Sequence, residues 1–86
     1  MAKNEITFHN KTEIKAQAQV FTGHTLVSSC IAGPGETCTL PVESLRYDIY
    51  LKNGTTGWEL TRKLDSQAKT FTLMKERQGW FVLTES

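Results

Sequence analysis

The stretch EIKAQAQV, Glu13 to Val20, decides the fold class. Ile14, Ala16, Ala18 and Val20 point one way along an extended chain, and Lys15, Gln17 and Gln19 point the other. That period of two is the mark of a half-buried antiparallel strand, because successive side chains on a pleated strand alternate between faces. A helix would scatter the same apolar residues around its axis. The rhythm recurs in Tyr47, Ile49 and Leu51, in Trp58, Leu60 and Leu64, and in Phe71 and Leu73. Eight strands follow, near residues 4–9, 13–22, 25–31, 36–40, 46–52, 57–64, 68–74 and 79–84. Turn-forming segments separate them: NKT, GHT, GPG, PVES, NG, DSQ and ERQG. The only helical candidate is a single turn at PVESL, started by Pro41 and too short to hold itself together. The expected architecture is all-β: a small antiparallel β-sandwich, with immunoglobulin-like topology one option and a small β-barrel of the same strands the alternative.

With 86 residues the chain supports one domain spanning residues 1–86. Ile, Leu, Val and Phe together number 20, enough for a thin core that a disulfide, a metal or a second subunit would supplement. Formal charge is +1 with acids and bases interspersed, so no broad positive field exists to draw in nucleic acid or an anionic membrane. Neither is expected as a partner. The N-terminal MAKNEITFHNKTE lacks the apolar run of a secretory signal, and no stretch approaches the roughly 18 apolar residues of a membrane span. A cytoplasmic location is the expectation. The tripeptides at Asn10 and Asn53 match the glycosylation pattern but carry no weight without export.

The segment RYDIYLKNGTTGWEL, Arg46 to Leu60, reads as a hairpin turning at Asn53-Gly54. Asn-Gly favours a two-residue type I′ loop, with a four-residue loop the alternative. Matching the apolar faces of both strands requires opposed residue numbers with an odd sum, and it turns Trp58 toward the core. The wet face then carries Arg46, Asp48, Tyr50, Lys52 and Glu59, the candidate ligand-binding residues. Tyr50 and Phe21 fall on polar strand faces, as does one of Trp80 and Phe81, and exposed rings are what binding modules stack on ligands. Tyr47 is placed like the tyrosine corner of immunoglobulin-like sandwiches, where the hydroxyl ties down the connection beside it.

Cys30 and Cys38 bracket IAGPGET and become cross-strand neighbours if the chain reverses about Pro34. A cytoplasmic chain keeps such thiols reduced, so free structural thiols are the favoured reading and a disulfide the alternative. His9, His24, Cys30 and Cys38 lack the paired spacing of zinc sites. AGPGETCTL has neither the lysine nor the following helix of a phosphate loop. An Asp48–Glu59 carboxylate pair on a wet face has nothing to separate its pKa values. No metal, cofactor or catalytic residue is therefore expected, and the chain reads as a non-enzyme. The leading expectation is a binding or adaptor module presenting its polar and aromatic face to a protein or carbohydrate. The alternative is a structural protein that forms a homo-oligomer through an edge strand.

Overall fold

The computed structural model describes residues 4–86. Eight strands form: β1 (Asn4–Asn10), β2 (Ala16–Thr22), β3 (Thr25–Ala32), β4 (Thr37–Val42), β5 (Tyr47–Asn53), β6 (Glu59–Ser66), β7 (Thr70–Lys75) and β8 (Phe81–Glu85). They build two four-stranded sheets, ordered β4-β1-β7-β8 and β3-β2-β5-β6. All pairings are antiparallel except β1 with β7. Neither sheet closes on itself, so the molecule is a sandwich and not a closed barrel. PVESL forms no helix, since Pro41 and Val42 end β4 and the chain then bends toward β5.

The alternation that predicts the strands also fills the core. Ala16, Ala18 and Val20 of β2 and Tyr47, Ile49 and Leu51 of β5 are buried from one sheet. Ile6 and Phe8, Leu40 and Val42, Phe71 and Leu73, and Leu83 meet them from the other. Burying side chains of this size stabilises the fold by about 1.5–3 kcal/mol each, against the large entropy cost of ordering the chain.

A disulfide, a tyrosine and an asparagine are among the ties that join the layers. Cys30 on β3 and Cys38 on β4 form a disulfide, with Cα atoms 6.2 Å apart. The sequence expectation of free thiols is thus overturned. The two residues are not ladder neighbours: Cys30 lies opposite Ala18 in one sheet and Cys38 opposite Phe8 in the other. The bridge instead clamps two sheet edges together. Across the sandwich, the Tyr47 hydroxyl donates to the Ala68 carbonyl while the ring packs edge-on against Phe71. It ties the β6–β7 connection, not the β4–β5 connection beside it. Burial, followed by the nearby Glu85 carboxylate, raises the Tyr47 pKa above its ordinary value.

The third tie is Asn10, buried where β1 ends. Its amide nitrogen lies 2.7, 3.0 and 3.1 Å from the carbonyls of Ile14, Ala32 and Gly33. Its Oδ1 accepts from the Thr12 backbone N–H at 3.0 Å and the Thr12 hydroxyl at 2.6 Å. A glycan on this nitrogen is incompatible with the fold.

The β5–β6 hairpin departs from the expected turn. Its loop spans residues 54–57, closed by Asn53 N–H to Trp58 O at 2.7 Å and Gly57 N–H to Asn53 O at 2.8 Å. The Asn53 Oδ1 accepts from the N–H groups of Thr55 and Thr56, and Gly57 takes the positive φ of 80°. Asn53 therefore organises a wider loop with its side chain in place of a type I′ turn. Trp58 stands past the last core layer at 76% exposure, so the prediction that it faces the core is wrong. Leu64 is exposed too, and of that trio only Leu60 packs against the core.

Trp58 keeps an odd sum with Asn53 and is exposed because it lies at the loop, beyond Leu51, whereas register explains Leu64. Bulges flank Ile49–Leu51, and between them Ile49, Tyr50 and Leu51 lie opposite Lys63, Arg62 and Thr61. These sums are even, not odd. A single extra residue reverses the face of everything beyond it.

Candidate functional site

The outer face of β3-β2-β5-β6 carries the candidate site. Gln17, Gln19 and Phe21 of β2 alternate with the buried Ala16, Ala18 and Val20, and Asp48, Tyr50 and Lys52 of β5 alternate with buried Tyr47, Ile49 and Leu51. In register, Gln17 opposes Lys52, Gln19 opposes Tyr50 and Phe21 opposes Asp48. Two amides, two rings, a cation and an anion are thereby laid on one surface.

An open groove of about 270 Å³ runs over this surface. Gln19, Phe21, Tyr50, Lys52 and Glu59 line it, and the β2–β3 turn contributes Gly23 and His24. That turn is a two-residue loop in which Gly23 takes φ of 63°, a conformation glycine adopts without strain. The Phe21 and Tyr50 rings meet edge to face with centroids 5.3 Å apart. On the β6 side the Arg62 guanidinium lies over the Tyr50 ring, 5.6 Å from its centroid. The Arg62 Nε also lies 3.4 Å from Glu59 Oε2. A bulge at Leu60 makes this arrangement: with Leu60 as the extra residue, Glu59 pairs with Lys52 while Arg62 pairs with Tyr50. Tyr50 is thus held from both sides, by Phe21 and by Arg62.

Of the five residues singled out in the sequence, Tyr50, Lys52 and Glu59 come together in the groove. Arg46 and Asp48 do not line it. Arg46 lies before β5 and bonds Asp65 at 3.0 Å, both side chains being exposed. Asp48 Oδ1 accepts from the Asp65 backbone N–H at 2.8 Å, bracing a bulge in which Asp65 takes φ of 53°. Asp48 and Glu59 are therefore not a carboxylate pair, since Phe21 faces one and Lys52 the other.

Sequence reasoning missed Arg62, Gln19 and His24. Arg62 was hidden by the bulges, because only an even-sum register places it against Tyr50. Gln19 was visible as a polar-face residue but unremarkable in type. Among the described residues, its Oε1 is shielded from solvent with no hydrogen-bond partner. Such an oxygen costs about 1–3 kcal/mol while it stays unpaired.

The remaining chemistry-bearing residues stay apart. His9 Nδ1 and Thr37 Oγ1 lie 2.9 Å apart on the other sheet. Among the described residues, no three His, Cys, Asp or Glu side chains are grouped to hold a metal, and no helix is long and apolar enough to cross a membrane. Comparisons with protein-family models, with curated proteins and with solved structures found no match, so the groove is read from its own geometry.

Proposed function

We propose that the chain is a non-catalytic binding or adaptor module whose outer β2–β5–β6 face takes a group the size of one sugar ring or one protein side chain. The convergence of Phe21 and Tyr50 with Gln19, Lys52 and Glu59 in one groove carries this reading. At about 270 Å³ the groove falls just below the roughly 300–1,000 Å³ of sites for drug-sized molecules, which suits one residue of a longer ligand. The rings offer an apolar platform for C–H groups, and the amide, ammonium and carboxylate offer donors and acceptors for hydroxyls or peptide groups.

Chemical-shift mapping against a panel of glycans and candidate proteins tests this. A true ligand shifts the amides of Gln19, Phe21, Tyr50 and Lys52, and Tyr50→Ala weakens it about tenfold or more, the usual cost of losing a central aromatic anchor. A ligand that leaves these amides silent, or binds Tyr50→Ala unchanged, refutes the assignment.

The location follows the thiols. A cytoplasmic chain would keep Cys30 and Cys38 reduced, whereas the disulfide supports residence in an oxidising compartment. Thiol titration of protein isolated without reductant separates the two, since two reactive thiols would favour the cytoplasm.

A further inference from the structure

The sandwich has four edge strands, and three of them are defended. β4 is six residues long and carries Pro41. β6 holds Glu59, Arg62, Lys63 and Asp65 and is bulged where it meets β5. β8 has five residues and carries Glu85. Charge, proline, bulging and shortness are the devices that keep a row of unpaired backbone N–H and C=O groups from recruiting another strand. β3 is different. It carries one bulge, at Val27, but its eight residues, TLVSSCIA, hold no charge and no proline, and the neutral stretch continues through Gly35.

The outer side of β3 is also apolar. Ile31 lies opposite Gln17, and Leu26 lies opposite Phe21, so both share the outer face. An even-numbered and an odd-numbered residue share it because Val27 is an extra residue between Ser28, opposite Val20, and Leu26. Leu26 is 47% exposed and Ile31 56%.

We infer that β3 pairs antiparallel with β3 of a second copy, joining the two outer sheets into one eight-stranded sheet. The occupant is a second copy because the strand is self-complementary. Directly opposed residues of an antiparallel pair share a face, so their numbers sum to an even value wherever the ladder is regular, and a residue must sit on the two-fold axis. Ser29, mid-strand, exposed and on the outer face, is that residue. With the axis there, Ser29 meets its own copy and Cys30 meets Ser28. Ile31 then meets the bulged Leu26–Val27 pair of the other copy, and each exposed aliphatic finds an aliphatic partner. No charge is buried. The Cys30–Cys38 disulfide anchors β3 from the inner side and leaves its outer face free.

Pairing of one strand per copy makes a small interface, so the dimer dissociates at about micromolar concentrations or above. Sedimentation equilibrium of the full chain from about 10 μM to 1 mM reads this. Ser29→Lys and Ser29→Glu each set two like charges face to face at the axis and weaken association about tenfold or more. Mixed one to one, the two variants recover it as a heterodimer. Circular dichroism checks that both remain folded, as an exposed serine change allows. A wild-type chain that stays monomeric throughout overturns the inference and leaves the edge to a foreign strand. Variants that dimerise like wild type, or a mixture that gains nothing over its components, overturn it equally.

Discussion

Reducing the Cys30–Cys38 bridge should remove half or more of the stability of this domain. The cross-link joins residues separated by 8 in sequence. The chain-entropy relation assigns a loop of that size about 2.5 kcal/mol at 25 °C. Small domains of this kind keep a margin of only about 3–5 kcal/mol, so the bridge is a first-order contribution. For a chain of this length the loss lowers Tm by roughly 10–20 °C. Thermal unfolding followed by circular dichroism, with and without reductant, measures it. Both cysteines also pack against the core. Reduction isolates the cross-link, and the Cys30→Ala/Cys38→Ala variant adds the packing loss, so the variant should unfold at or below the temperature of reduced wild type. The effect should also be directional. β3 and β4 lose their clamp, whereas the side held by Tyr47 and Ala68 keeps its own. Hydrogen exchange after reduction should accelerate more in β3 and β4 than in β5 and β7. A Tm unmoved by reductant, or two titratable thiols in the folded oxidised protein, would refute the reasoning.

Asn10→Ala strips the donor from three clustered carbonyls and the acceptor from Thr12, and should cost about 2–4 kcal/mol in urea unfolding; a loss under about 1 kcal/mol would show that the network is dispensable. Tyr47 makes the fold alkali-sensitive. Its folded pKa is raised, so above the ordinary value of 10.0 the unfolded chain loses the proton first, and stability falls as pH climbs toward the folded pKa. Tyr47→Phe should cost about 1 kcal/mol at neutral pH and flatten that alkaline decline, so an unchanged slope in denaturation midpoints above pH 10 would count against it. Trp58→Ala should change stability by no more than about 0.5 kcal/mol, whereas Phe71→Ala should cost about 3–5 kcal/mol. Equal losses at the two sites would contradict the placement of Trp58 outside the core.

What could be read from the sequence is what depends on one strand at a time. Ala16, Ala18 and Val20 face the core because alternation is a local property of an extended chain, and the same logic puts Tyr50 and Lys52 on the wet face. What could not be read depends on two strands meeting. Nothing in IAGPGET says that its flanking cysteines belong to different sheets, and nothing in Asn10 says that carbonyls from the β1–β2 connection and from the end of β3 will converge on it. Register was the costliest gap, because a bulge is a property of a pair and leaves no composition signal. Yet the bulge that defeats the reading of β5 with β6, and the one between β2 and β3, also shape the groove and the apolar edge. The extra residue at Leu60 lets Glu59 meet Lys52 while Arg62 meets Tyr50, which completes the groove. The extra residue at Val27 turns Leu26 onto the face of Ile31, which completes the apolar edge. An unbulged hairpin in either place would have obeyed the alternation rule and lost the surface, so the departures from sequence logic fall at the two surfaces on which the proposals rest.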